Sequence, residues 1–238
     1  VVGIGPGGAL DRTRRAELAI GRSQIIVGYK RYLELVQDLT AGKELVASGM
    51  RQEVDRCRLA LDLAAAGKTV ALISSGDAGI YGMAGLAIEL AEASGQKVAI
   101  EIVPGITAAS AAGARLGAPL MLDFAAISLS DLLVPWDMIR RRLEAVAAAD
   151  LVVALYNPRS SKRVVQLEEA VEIFRRHRPA QTPVGLAVEL GTDQERLVLS
   201  DLGHLLEQAV DMRTIVLIGN SASKVVNGWF VTSRGYRP

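Results

Sequence analysis

One stretch, TVALISSGDAGIYGMAGLAIELA (residues 69–91), restricts the fold more than any other part of the chain. Its opening run, TVALIS, has the apolar, β-branched character of a buried strand. Glycines 76, 79 and 82 then strip side chains from the turn, and a helical pattern follows. A strand that passes through a small-residue turn straight into a helix is the building unit of a parallel sheet. The turn carries a single acid, Asp77. A carboxylate there can accept from an ammonium group or a ribose hydroxyl of a nucleotide-like or amino-acid-like ligand. It can equally cap the helix that follows.

The same alternation runs through the chain. VVGIG (1–5) precedes a helix capped by Asp11 or Thr13, and SQIIVG (23–28) precedes a second helix. Residues 43–47 form a short strand, 50–66 a helix ended by Gly67, 79–93 a helix, 97–103 a strand and 106–117 a small-residue helix. Gly117, Ala118 and Pro119 mark a domain boundary. After it come strands at 124–130, 150–158, 182–190, 195–200 and 214–219, with helices at 136–149 and 162–177. Strands without an intervening helix at 185–200 add an antiparallel part. The expected fold is therefore α/β in two domains: 1–118 with a mostly parallel sheet, and 119–238 with a mixed sheet.

Half of the 238 residues are hydrophobic, enough for a sizeable core. Lys and Arg number 27 against 26 Asp and Glu, so no overall basic field points to nucleic acid. No apolar run reaches the roughly 20 residues of a membrane span, and no charged leader marks a signal peptide. The start without Met is read as a chain lacking a few upstream residues. A lone cysteine, Cys57, permits no internal disulfide, which suits a reducing cytoplasm. It reads as a small helix residue rather than a nucleophile. His177 and His204 stand far apart, so no metal site is expected.

Several further strand ends carry polar or glycine-rich turns. GIGPGG (3–8) fits the spacing G-x-G-x-x-G. A dinucleotide site also wants an acid after the second strand, where this chain has Gly28, Tyr29 and Lys30, and Pro6 lacks an amide that would face a pyrophosphate. A turn that admits a flat substrate or a nucleoside, or simply a tight turn, fits better. VPGITAAS (103–110) offers Thr107, Ser110 and the free amides of a helix start. LYNPRSSKR (155–163) presents Arg159, Lys162 and Arg163 with two serines at a helix start, a place for carboxylates or phosphates or a solvated basic loop. AVELGTDQERL (187–197) and IGNSAS (218–223) close two more strands. Together these turns suggest one crevice between the domains.

GIGPGG, IIVGYKRYLE, GDAGIYGMAG, VPGITAASAAGARLGAPL, LYNPRS and GNSAS, in this order and spacing, resemble the tetrapyrrole methylases. The likeness runs from Val1 to about Asn220. Within that family, GDAGIYGM, SLSDLLVPW and LYNPRS look most like the members that methylate carbon 17 of a precorrin with ring contraction. The resemblance implies a two-domain homodimer that binds S-adenosylmethionine in the cleft between domains. Carried over residue by residue, it puts the cofactor on Pro6, Gly76, Asp77, Ile80, Tyr81, Thr107 and Ala108 from the first half. From the second it adds Tyr156, Asn157, Ala187, Glu189, Gly191, Gly219 and Asn220. Where many members have GDP, this chain has GDA at 76–78, as the ring-contracting type does.

The implied substrate is a polycarboxylate macrocycle, whose acid arms Arg159, Lys162 and Arg163 would hold, with Gly7, Arg12, Arg14 and Lys30 from the first turn and strand. A methyl carried on a sulfonium is already activated, so no protein nucleophile is needed. Ring contraction does need a base, for which Ser128, Ser130, Asp131, Tyr81 and Glu189 are candidates. Other readings are methylation at carbon 11 of precorrin-4, a cobalt-loaded substrate, a diphthine-synthase-like protein substrate, a nicotinamide oxidoreductase built on GIGPGG, and a ligand sensor without turnover.

Overall fold

A computed structural model describes residues 1–49 and 52–236. The chain divides into two compact units, Val1–Ala108 and Ala109–Pro238. The division therefore falls near the start of the helix expected at 106–117, not after it at Gly117–Pro119.

In the first unit, β1 (Val2–Gly3), β2 (Ile25–Tyr29), β3 (Glu44–Ser48) and β4 (Val70–Ser74) form a parallel sheet in the order β1-β4-β2-β3. Helices α1 (Arg14–Arg22), α2 (Lys30–Glu34), α3 (Glu53–Ala65) and α4 (Ala84–Ser94) cover it. Successive strand side chains point to opposite faces. Ile26, Ala71 and Ile73 accordingly meet Ala16 and Ile20 of α1, while Ile25, Val27 and Leu72 meet Cys57 and Ala60 of α3 and Ala87 of α4. Both faces are buried, which is why these strands read as continuous apolar runs. Thr13, not Asp11, caps α1: its hydroxyl accepts from Ala16 N at 3.1 Å.

Three expectations shift here. Helix α3 begins at Glu53, and Met50 of the expected helix lies outside the described residues. Helix α4 begins at Ala84 rather than Gly79, because residues 75–83 form a long turn whose Ala78 carbonyl accepts from Ala84 N at 2.9 Å. Residues 97–102 are not a strand; only Val103 bridges, to Val2. Strand β1 is so short that it offers this segment partners only around residues 101–103. A groove lined by Val70, Ala71, Val98 and Ile100 lies alongside, toward the strand starts and away from the glycine turns.

The second unit opens with α5 (Ala108–Leu116) and β5 (Gly117–Ala118). Strands β6 (Phe124–Ser128), β7 (Val152–Tyr156), β8 (Pro183–Val188), β9 (Arg196–Asp201) and β10 (Thr214–Ile218) form a sheet in the order β6-β7-β10-β8-β9. Only β6 and β7 are parallel; the other three pairings are antiparallel. Helices α6 (Trp136–Ala148) and α7 (Val165–His177) cover one face, where Ile139, Leu143, Leu167 and Phe174 pack on Val153, Leu155, Leu186 and Val216. A small third sheet, with β11 (Ser223–Val226) and β12 (Trp229–Thr232), runs in the order β11-β12-β5. Gly185 shows where the other face of the large sheet is closed. A Cβ there would stand 2.6 Å from Leu116 of α5 and 3.2 Å from Phe230 of β12.

Cys57 tests the packing of the first unit. It is fully buried, and burial pushes its thiol up to about 11. At pH 8 about one thiol in a thousand is then ionised. Native protein is expected to stay unmodified by a chromogenic disulfide reagent under conditions that titrate one thiol in denaturant; rapid native labelling would contradict the packing described.

Candidate functional site

In the first unit three chain segments end at the same sheet edge: β1 into residues 4–8, β4 into 75–82 and Val103 into 104–107. The connection leaving β1 passes β4 to reach β2, whereas the one leaving β4 passes β1 to reach Val103. Neighbouring strands whose connections depart in opposite directions open a crevice at their carboxyl ends.

The turns touch backbone to backbone. Gly5 and Gly76 exchange amide bonds of 3.1 and 2.7 Å. A Cβ on Gly105 would stand 2.1 Å from the Gly76 carbonyl, and one on Gly3 would stand 2.7 Å from Gly105 N. Two of the three glycines that make GIGPGG look like a dinucleotide fingerprint, Gly3 and Gly5, are thus consumed in closing the sheet edge. Asp77 locks the same contact: one carboxylate oxygen accepts from Gly79 N at 2.8 Å and the other from Gly105 N at 3.0 Å. The expected helix cap needs correction: Asp77 does not cap α4, and each of its oxygens instead serves a backbone amide of the turns.

Around this lock lie small and apolar surfaces. Thr107 Cα and Ala108 N lie 3.9 and 4.0 Å from the Cβ position of Gly76. Ile80 and Tyr81 are exposed apolar groups on the same turn, and Tyr81 holds a left-handed φ of 53° that non-glycine residues seldom adopt. Pro6 is half-buried and Gly7 buried. Lys30 is exposed where β2 ends, on the same edge, and Arg14 is exposed but pairs with Glu17. Arg12 is a correction. Its guanidinium is buried and bonds both Asp38 oxygens, at 3.0 and 2.7 Å, holding that carboxyl below its usual range. It is not free to hold a substrate arm.

In the second unit, β6, β7 and β8 run the same way, so Ser128, Tyr156, Asn157 and Glu189 share one sheet edge. Asn157 and Glu189 have left-handed φ values of 49° and 51°. Ser128 Oγ accepts from Asn157 Nδ2 at 3.0 Å and from Ser130 N at 3.2 Å. Tyr156 places its hydroxyl on Ala109 N at 3.0 Å, satisfying one early amide of α5. Glu189 is buried and paired with Arg213. Gly191 gives its amide to Glu195 at 2.7 Å. Asp131 is exposed and accepts from Gln166 at 2.9 Å; Leu132 and Leu133 beside it are exposed.

The basic run at 159–163 separates into three environments. Lys162 is exposed. Arg159 lies 3.5 Å from Glu168. Arg163 is buried, with its guanidinium on the Asn157 carbonyl at 2.7 Å, so it braces the turn and holds no ligand arm.

Two further expectations are corrected. Strand β10 runs antiparallel to β7, so Gly219 and Asn220 emerge at the opposite sheet edge from Tyr156 and Glu189. There Gly219 N bonds the Pro183 carbonyl at 2.9 Å and Asn220 Nδ2 the Asp150 carbonyl at 2.9 Å. Ala187 is fully buried within β8. The edge instead gains Met212, Arg213 and Thr214, from the start of β10. The polar start of DMRTIVLIG was visible in sequence, but its strand direction was not. Among the described residues no His, Cys, Asp and Glu group converges as metal ligands do, and no helix is long and apolar enough to cross a membrane.

Gly105→Ala should lower the unfolding free energy by about 1–3 kcal/mol, as overpacking does, measured by urea denaturation. Asp77→Ala leaves two amides without their charged acceptor and should cost about 1–3 kcal/mol in the same assay. Wild-type stability in either variant would mean that the turns do not touch as described.

Residues 1–206 match the family model for Tetrapyrrole (Corrin/Porphyrin) Methylases. A probable cobalt-factor III C(17)-methyltransferase of Salmonella typhimurium is 46% identical over 99% of this chain and 98% of its own length. A precorrin-3B C(17)-methyltransferase of Sinorhizobium sp is 43% identical over 95% of this chain and 90% of its own. Among solved structures, the methyltransferase CobJ shares 37% identity at a TM-score of 0.92, over 98% of both chains. With the fold, the glycine-locked edge and these likenesses in agreement, the chain belongs to the tetrapyrrole methylase family.

Proposed function

We propose that this protein transfers a methyl group from S-adenosylmethionine to carbon 17 of a precorrin-3-type tetrapyrrole, with ring contraction, in cobalamin biosynthesis. The observation that carries the reading is end-to-end likeness to relatives named for that reaction. A match of this kind spans the turns of the first unit and the strand ends of the second alike.

The residues present suit the cofactor. S-adenosylmethionine supplies an electrophilic methyl when bound, so the chain's task is to align and to exclude water. Gly76, Thr107 and Ala108 offer backbone and small side chains to a nucleoside, with Ile80 and Tyr81 as apolar walls. Pro6 lies in the adjoining turn. From the second unit, Tyr156 and the turn at Glu189 and Gly191 are the proposed contributors. Asp77 acts on the cofactor through the turns that it ties together.

For the substrate, Lys162, Lys30 and the less exposed Arg159 are the proposed cations for the acid arms. Tyr81, Ser130 and Asp131 remain candidates for the base that takes the hydroxyl proton before contraction. Glu189 is the weaker candidate because Arg213 already holds its carboxylate.

The cobalt-loaded substrate is a second reading, favoured by the 46% and 45% identities to relatives named for cobalt-factor III. Incubation of purified protein with S-adenosylmethionine and either precorrin-3B or cobalt-factor III tests both. One of the two should gain a single methyl at carbon 17, by mass spectrometry and NMR. No methylation of either, in protein that binds S-adenosylhomocysteine in calorimetry, would overturn the assignment of substrate.

A further inference from the structure

We infer that Ser128 is a fixed hydrogen-bond donor to a carboxylate oxygen of the tetrapyrrole, held in that role by Asn157. The inference rests on the substrate reading above and deepens it.

A hydroxyl has one proton to give and two lone pairs to receive. Ser128 Oγ receives from Asn157 Nδ2 at 3.0 Å and from Ser130 N at 3.2 Å. Both lone pairs are engaged, so the proton can only be offered outward. Among the described residues no hydrogen bond from this hydroxyl is formed. The same count removes Ser128 from the candidate bases, since a proton acceptor needs a free lone pair.

Asn157 is braced against turning. Its backbone is left-handed, a conformation that Asn tolerates better than most residues. Its main-chain carbonyl is held by buried Arg163 Nη2 at 2.7 Å, and the Arg163 amide is in turn held by Ser160 Oγ at 3.1 Å, which fixes the backbone of the turn. From that fixed backbone the side-chain amide of Asn157 presents its NH2 to Ser128. A donor held this way costs little to order when an acceptor arrives.

The surroundings select the acceptor. Leu132 and Leu133, on the loop that leaves Ser128, are 64% and 95% exposed, and Lys162 is exposed on the turn that carries Arg163. Gln166 holds Asp131 at 2.9 Å and so fastens that loop to α7. Apolar surface with a cation and a hydroxyl donor suits a flat ring bearing carboxylate arms. The cofactor's own carboxylate shares the chemistry, and the test separates the two.

Three proteins decide: wild type, Ser128→Ala and Asn157→Asp. Aspartate at 157 keeps the shape but accepts from Ser128, turning its proton inward. Each variant should raise KM for the tetrapyrrole about tenfold with kcat changed less than threefold. The double variant should be no worse than either one, because both remove the same bond. Ser128→Ala should bind S-adenosylhomocysteine in calorimetry within twofold of wild type. Unaltered KM in Asn157→Asp would overturn the proposal, since the Asn157 amide would then present its oxygen. Multiplying effects in the double variant would also overturn it. So would a tenfold loss of S-adenosylhomocysteine affinity with unchanged KM, which would assign the donor to the cofactor. Thermal midpoints are measured alongside; if Ser128→Ala is poorly folded, Asn157→Asp decides. A wild-type protein that binds no tetrapyrrole removes the substrate reading itself, and is thereby distinguished from failure of the Ser128 role alone.

Discussion

The first unit depends on three glycine backbones in direct contact: Gly3, Gly76 and Gly105. Strands β1 and β4 and the segment at Val103 can end together only because nothing larger than hydrogen stands between their turns. The contact shortens the distance between strand ends and leaves peptide groups, not side chains, on the floor of the edge. Asp77 adds a charged acceptor to amides of two of these turns, holding 76–79 and 104–105 in one register. Chemistry that needs alignment more than reactive side chains is well served by such a floor.

The second unit solves a similar problem with buried cations. Arg163 props the Asn157 carbonyl at the sheet edge that carries Tyr156 and Glu189, and Arg178 holds the opposite edge through the Gly219 and Leu151 carbonyls while lying over the Phe174 ring. In each case a guanidinium removed from water is compensated by main-chain oxygens. Burial pulls both side chains below the usual arginine range, consistent with that desolvation. Basic residues beside a turn can therefore be internal braces as readily as ligand contacts, and only packing distinguishes the two. The contrast within one run is clear: Lys162 faces outward and Arg163 inward.

Much of the architecture was legible because both periodicities are strong. The apolar runs at 25–28, 70–74 and 152–155 have no polar face, which demands cover on both sides. The helices at 136–149 and 162–177 carry clear apolar stripes. The hairpin of β8 and β9 followed from two strands with no room for a helix. The strand expected at 97–102 failed because β-propensity does not supply a partner, and β1 reaches only its end. The boundary at Gly117–Pro119 failed because α5 packs its Leu116 against Gly185 of the second unit's sheet.

The sequence by itself determined most of the strands and helices, that glycine-rich turns follow the strands, and the family to which the chain belongs. These follow from local spacing, which survives without knowledge of neighbours. Tertiary structure alone decided how the turns are used. The direction of β10 sent Gly219 and Asn220 to the far edge and brought Arg213 to Glu189. Burial turned Arg12 and Arg163 from ligand contacts into braces, and backbone proximity turned Asp77 into a latch. Strand direction and side-chain burial are set by contacts between residues far apart in the chain, and no local pattern encodes them.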